Sequence, residues 1–187
     1  ILVSCERPLI IAGSAASYGD VGKKIEKFIE TSGIPLLTEG DARGIVSDDH
    51  SLCFGFFDTA LNTAAKLISE ADVVLLMGRK QDFGIGYTAP PLISKDAALL
   101  QIDPSQSEIG RNRSVEVGIC GDISKVLDMV IHNSEKRIWP SFSPWVKKMM
   151  EARRHHFEQL ESLALNDNPP HAMAVHNIVK SFLEPDD

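Results

Sequence analysis

Four apolar runs in this sequence close on residues able to hold an anion or a hydroxyl. Gly13-Ser14 follows 9–12, Gly78-Arg79-Lys80 follows 73–77, Asp103-Pro104 follows 98–102, and Gly121-Asp122 follows a run beginning at 115. Nucleotide binding is the chemistry this set could perform. After Gly13 and Ser14 the string Ala15-Ala16-Ser17-Tyr18-Gly19 could offer backbone amides to a phosphate at a helix start. It lacks a full GxGxxG, and the same small residues would also let a helix approach a sheet closely. Arg79 carries a planar fork that meets a diphosphate bidentately. Asp103 stands where an acid accepts hydrogen bonds from a ribose, and equally where an Asp-Pro pair forms a turn. Asp122 after Gly121 is divided between a ribose or adenine contact and a helix cap.

Other chemistries find less support. The six histidines do not form a metal set: His155 and His156 are adjacent on a helical pattern and diverge by about 100°. His171 and His176 are five apart, and His50 after Asp48-Asp49 reads as turn packing. No GxSxG elbow occurs, which removes the usual hydrolase nucleophile. Neither catalytic residues nor metal ligands are assigned.

These residues depend on the elements between them. Short continuous apolar runs alternating with helical patterns predict βαβ units and a parallel sheet, with strands at 9–12, 34–38, 73–77, 98–102 and 115–119. Between the first two, Val21, Ile25, Phe28 and Ile29 form one stripe of a helix over 20–31, closed by Gly33. A second helix is predicted over 58–69, with Leu61, Ala64, Ala65 and Ile68 inward. A third follows Asp122 as its N-cap, with Val126, Met129 and Val130 inward. Beyond 133 the pattern changes to a connector holding Trp139 and Pro140. A helix follows from Ser143-Pro144 to about 164, carrying Trp145, Met149, Ala152, His156, Leu160 and Leu163 and capped by Ser143. A break over 166–170 and a last helix over 173–183 complete the chain. The fold class is therefore α/β, a Rossmann-like three-layer domain (1–133) with a parallel sheet of about six strands, plus a C-terminal helical extension (134–187).

With 187 residues the chain has the length of about one domain, and 43% hydrophobic content is enough for a core without disulfides or a structural metal. The net charge of −7 has the wrong sign for sequence-independent nucleic-acid binding. The longest apolar runs fall far short of the roughly 20 residues that span a bilayer. Three cysteines without CxxC spacing point to a reducing, cytoplasmic compartment. The absence of an initial Met reads as a fragment of something longer.

Further strings acquire meaning as an ordered set: Ile34-Pro35-Leu36-Leu37-Thr38; Ala42-Arg43-Gly44 through Asp48-Asp49-His50 to Gly55; Glu70-Ala71-Asp72 before the third strand; Gln101-Ile102-Asp103-Pro104; and Glu108-Ile109-Gly110-Arg111-Asn112. With the glycine turns above, they resemble the central domain of thiamine-diphosphate-dependent enzymes of the acetolactate synthase and pyruvate oxidase type, over roughly residues 1–133. The C-terminal part more weakly resembles the start of the domain that follows. The resemblance implies a parent enzyme that makes or breaks a carbon–carbon bond beside a carbonyl, typically of a 2-oxo acid. Its branches include acetolactate synthase-like transferases, 2-oxo acid decarboxylases and CoA-ester lyases.

It also implies thiamine diphosphate and magnesium in that parent, held outside this chain. The family's Gly-Asp-Gly followed by Asn is absent, and neither Gly19-Asp20-Val21-Gly22 nor Gly121-Asp122-Ile123 replaces it. The expectation is a chain inactive alone, partnered by neighbouring domains in a homodimer or homotetramer. In relatives this domain holds the ADP half of FAD, holds a CoA-like nucleotide, or only supports the assembly. The implied cofactor-binding residues are Gly13, Ser14, Gly78, Arg79, Asp103, Gly121 and Asp122. FAD-binding relatives carry an Arg followed by Asp-Asp-Arg; Arg79-Lys80-Gln81-Asp82 keeps one acid and lacks the rest, which counts against FAD. The different reading that stays open is a stand-alone nucleotide-binding or scaffold subunit with no catalytic parent.

Overall fold

The computed structural model describes residues 1–164 and 169–183. Six strands form one parallel sheet: β1 (Pro8–Ala12), β2 (Leu36–Thr38), β3 (Cys53–Phe56), β4 (Val73–Met77), β5 (Ala98–Asp103) and β6 (Val117–Cys120). Their spatial order is β3-β2-β1-β4-β5-β6, the doubly wound arrangement whose direction reverses between β1 and β4. The helices are α1 (Val21–Ser32), α2 (Thr63–Lys66, continuing as a 3-10 turn), α3 (Ile123–Ser134), α4 (Ser143–Ser162) and α5 (Ala172–Lys180). Part of the break expected over 166–170, and residues 184–187, lie outside the described residues.

The three-layer architecture follows from the side-chain period of the strands. Ile10, Ala12, Val73, Leu75, Met77, Leu100 and Ile102 face one way, against Ile25, Phe28 and Ile29 of α1 and Ile123, Leu127 and Ile131 of α3. Leu9, Ile11, Val74, Leu76 and Leu99 face the other way, against Ala64, Ala65 and Ile68, the loop residues Ile85 and Ile93, and Trp145 and Met149. A strand covered on both faces must be apolar at every position, which is why the runs read as continuous. Each fully buried Leu or Ile contributes about 1.5–3 kcal/mol. Lys24 ties α1 to α3 through Asp128 (2.7 Å) and the Ser124 hydroxyl (2.7 Å).

Several elements differ from the sequence expectation. The sixth strand is β3, four residues with a register irregularity against β2 and so no periodic signal. The helix expected from 58 starts at Thr63, because the Asp58 carboxylate closes a local turn on the amides of Ala60 (2.7 Å) and Leu61 (3.1 Å). Asn62 then caps the helix, accepting from Ala64 N while its amide donates to the carbonyls of Phe54 and Phe56 (both 2.8 Å). Leu61 is consequently exposed. The last strand starts at Val117, two residues later than expected. Asp122 caps α3 as expected, its carboxylate accepting from Lys125 N at 3.0 Å. Ser143 is the first residue of α4 and makes no side-chain cap; Pro144 follows in the first turn.

The largest difference concerns α4. Its first turns belong to the sheet: the Trp145 indole is buried and donates to Pro8 O at 2.8 Å, and Met149 is fully enclosed. Thr63 Oγ1 donates to Ala152 O (2.7 Å), and Arg153 donates to Cys53 O (2.9 Å) with its guanidinium over the Phe54 ring. Beyond that point Phe157 and Leu163 are exposed, and α5 buries no residue. Trp145→Ala therefore opens a cavity beside β1 and should cost about 3–5 kcal/mol in chemical denaturation. A chain ending at 133 should lose at least as much, whereas ending at 164 should leave the midpoint nearly unchanged; equal midpoints for the two truncations would contradict this packing.

Candidate functional site

All seven expected residues lie along one edge of the sheet, where β1, β4, β5 and β6 end. Ligands of doubly wound sheets bind at this edge because helix and strand connections separate there. Gly13 and Gly78 meet at the reversal point. Gly13 N donates to Met77 O (2.9 Å) and Ala15 N to Gly78 O (3.2 Å). A Cβ on Gly13 would stand 2.7 Å from Arg79 Cα and from Gly78 O. Gly78 adopts φ +61, and a Cβ there would stand 2.7 Å from Ala16 N. Both glycines are thus required by contact between chain segments.

The turn after Gly13 does not run directly into a helix. Ser14–Ala16 form a 3-10 turn, and α1 begins only at Val21. The amides of Ala16 and Ser17 bond within the turn, to Gly13 O and Ser14 O. With Ala15 N, three consecutive amides of the turn are thus already occupied. Ser14 is exposed and lies beside Gly40 from the loop after β2.

Arg79 is 4% exposed and surrounded by acceptors. Its two terminal nitrogens reach both oxygens of Asp82 at 3.0 and 2.7 Å, and one also donates to Lys80 O. Its Nε lies 2.9 Å from Glu39 Oε2, near enough for attraction but too poorly aligned for a hydrogen bond. Two carboxylates therefore neutralise the cation expected to meet a diphosphate. The hydrogen bond from Arg79 holds the Asp82 carboxyl below its ordinary value.

Asp103 has the opposite environment. It is 2% exposed, and Oδ1 accepts from Ser105 N at 2.8 Å, while Oδ2 is buried without a partner. Burial pushes its pKa upward; the Ser105 hydrogen bond and Lys80 oppose this, and Glu108 reinforces it. Gly121 donates its amide to Asp103 O (3.1 Å), and Asp122, exposed, is occupied as the α3 cap. The Asp-Pro turn and an unfilled acceptor are thus both present at Asp103.

A cleft of about 400 Å³ opens beside these groups, with Lys80, Phe83 and Tyr87 on one wall and Glu108, Arg111 and Asn112 on the other. None of the seven expected residues lines it, but Lys80 and Glu108 belong both to its walls and to the surroundings of Asp103. Arg113 is a clamp: it donates to the carbonyls of Thr88 (3.0 Å), Lys95 (3.0 Å) and Ala97 (2.7 Å). Sequence reasoning also passed over Gln81 and Gln101, buried at 1% exposure each. The available signal was Gln101 itself, a polar residue inside an otherwise apolar strand.

A family model for the thiamine pyrophosphate enzyme central domain matches residues 1–130. The chain belongs to this family of central domains. Relatives include 2-hydroxyacyl-CoA lyase of Oryza sativa subsp. japonica, 30% identical over 91% of this chain and 29% of that protein. Oxalyl-CoA decarboxylase of Escherichia coli K12 is 27% identical over 90% of the chain and 29% of that protein. The acetolactate synthase large subunit of Mycobacterium tuberculosis is 27% identical over 100% of the chain and 32% of that protein. The chain thus spans about a third of the length of the curated relatives it matches. The family is named for thiamine pyrophosphate. The residues of this central domain do not fit that group: among the described residues no three His, Cys, Asp or Glu gather as a metal site. Asp20 pairs with Ser124 and Lys24 on the α1–α3 surface, and Asp122 caps α3. No step through thiamine diphosphate is derived from them.

The two aspartates should titrate with opposite signs. Asp82 has a depressed value in the folded state, so its contribution is present above the unfolded value and is lost as pH falls through the folded one. Asp82→Asn should cost about 1 kcal/mol at neutral pH, after screening of a half-exposed group, and should flatten the acid limb of stability. Asp103 has a raised value, so its burial weakens the fold above that value and the penalty is relieved as pH falls. Asp103→Asn should therefore raise the melting midpoint at neutral pH. Thermal melts from pH 3 to 8 check both signs.

Proposed function

We propose that this chain is the nucleotide-holding central domain of a thiamine-diphosphate enzyme, acetolactate synthase-like in organisation, that cleaves or forms a carbon–carbon bond in a 2-oxo acid or an acyl-CoA. The observation that carries the nucleotide reading is the unfilled, buried Asp103 Oδ2 at the carboxyl edge of the sheet, whose charged neighbours Lys80 and Glu108 line an open cleft. A ribose hydroxyl supplies the donor this oxygen lacks. The occupied state of Arg79 and of the amides after Gly13 counts against gripping a diphosphate at the reversal point. The reading therefore favours the adenosine part of ADP or CoA over FAD. Two of the relatives cited are named for CoA substrates, which supports the same choice.

On this reading residues 1–133 are the central domain and 134–187 lead into a diphosphate-binding domain, where thiamine diphosphate and magnesium reside in the parent. This chain alone does not turn over. Its partners are neighbouring domains of a homodimeric or homotetrameric cytoplasmic enzyme. Among the described residues no helix is long and apolar enough to cross a membrane. A scaffold role without any nucleotide is favoured by the internal use of Arg79 and the turn amides.

Thermal melting with ADP, CoA, FAD and thiamine diphosphate plus magnesium tests these readings. ADP or CoA at a hundredfold excess over Kd should stabilise by about 2.7 kcal/mol, a shift of several degrees for a chain of this size. FAD should do less and thiamine diphosphate nothing. Asp103→Ala should abolish the ADP shift. No response to any nucleotide would leave the scaffold reading, and a dominant FAD response would refute the assignment of Arg79.

A further inference from the structure

The two walls of the cleft come from separate segments, residues 79–88 after β4 and 105–113 after β5, and each is irregular. The first contains two non-glycine residues at positive φ, Tyr87 (φ 55) and Thr88 (φ 58). Such conformations are strained and persist only where the surroundings determine them. Phe83 on this wall is 80% exposed, so the segment is not held by burying its aromatic tip.

Ile85 pins the segment into a core layer, and a relay of buried amides fixes its polar groups against the other wall. Gln81 Oε1 accepts from the backbone amides of Asn112 (3.2 Å) and Arg113 (2.7 Å), and its backbone carbonyl accepts from the Asn112 side chain. Gln81 Nε2 donates to Gln101 Oε1 at 3.2 Å, which also accepts from Gly110 N at 2.9 Å. Gln101 Nε2 then donates to the carbonyls of Arg79 (3.2 Å) and Glu108 (3.0 Å). Arg113 completes the loop between the walls by donating to Thr88 O. Because each acceptor and donor faces its complement, the orientation of both side-chain amides is determined by the network. Gln101 sits on β5, an interior strand of the sheet, and bonds to one segment through Arg79 O and to the other through Gly110 N and Glu108 O.

We propose that Gln81 and Gln101 are positioning residues that lock the two walls into one body, so that the cleft is preformed for its ligand. The proposal rests on the nucleotide reading only for the identity of that ligand. Locking the walls beforehand removes ordering that binding would otherwise have to impose, so loosening them through Gln101, which does not line the cleft, weakens affinity without removing a ligand contact. Apolar packing by these residues alone would not connect the far ends of the relay.

The test is site-resolved amide hydrogen exchange by NMR on the 187-residue chain, with ADP affinity measured by calorimetry. Asn112 and Arg113 amides bond to Gln81 and not to Gln101. In Gln101→Leu their exchange should nonetheless rise about tenfold, the change expected for loss of one buried hydrogen bond, together with amides in 82–88. Amides of α1 and α3 should not change. ADP affinity, measured well below the variant's own melting transition, should fall about tenfold. Acceleration confined to Gly110, or unchanged ADP affinity in a variant with loosened walls, would overturn the proposal. Should Gln101→Leu fail to fold, Gln81→Met keeps the side-chain length and loses the donor to Gln101. It should accelerate Gly110, and an unchanged Gly110 would equally overturn the coupling. If the unsubstituted chain binds neither ADP nor CoA, the nucleotide reading fails and the exchange measurement still decides the relay.

Discussion

A parallel sheet has no solvent face, and most of what distinguishes this molecule follows from covering both faces of β1, β4 and β5. Helices α1 and α3 cover most of these strands on one side, with Val46 and Phe142 joining the same cluster. On the other side α2 is only one turn, extended by a 3-10 turn, too small to span the sheet. The remainder is closed by Ile85 and Ile93 from the loop after β4 and by Trp145 and Met149 of α4. The loop that walls the cleft is therefore also part of a core layer. That dual role ties the site to the fold: Phe83 and Tyr87 can stand out at the edge because Ile85, between them, is fully buried.

Polar groups are expelled from such a sheet except at strand ends, which concentrates charge along the carboxyl edge. The outcome there is uneven. Arg79 is matched by Glu39 and Asp82 and contributes cohesion, while Asp103 keeps one oxygen unmatched at the expense of stability. A buried acceptor without a donor lowers stability by about 1–3 kcal/mol, so its retention suits a group completed by something outside the chain. The same comparison explains why charge type alone misleads. A cation at a strand end resembles an anion site until its neighbours are known, and here the neighbours already supply two negative charges.

How far the sequence was legible depended on whether the relevant constraint was local. β1, β4 and β5 were readable because double burial makes every position apolar, and α1 because its stripe is long and closed by Gly33; α3 was readable as a capped helix, but its buried face is Ile123, Leu127 and Ile131, and Met129, expected inward, is exposed. β3 was not, since four residues at a sheet margin carry no period. The start of α2 was decided by Asp58 and Asn62, whose side chains compete with helix at the preceding turn. The helical character of α4 was visible, but its docking was not, because Trp145 reaches Pro8 O across 137 positions of sequence. All seven expected site residues were brought to one edge for the same reason that they were noticed: each closes an apolar run. Their individual roles depended on Glu39, Glu108, Gln81 and Arg113, which lie on other segments.

Gln101 shows what a single exception to the burial rule accomplishes. Leucine at this position would suit the strand, yet would leave Gly110 N, Arg79 O and Glu108 O without their partner. Those three groups belong to chain leaving the sheet, where no ladder can pair them. A side-chain amide placed in the strand acts as a substitute for the missing ladder, because it carries the same donor and acceptor as a peptide group. Gln81 repeats the device one step outward, for Asn112 and Arg113. The sheet's hydrogen bonding is in this way continued beyond its last residues into two irregular segments, and that continuation gives the edge a rigid cleft where strand pairing itself has ended.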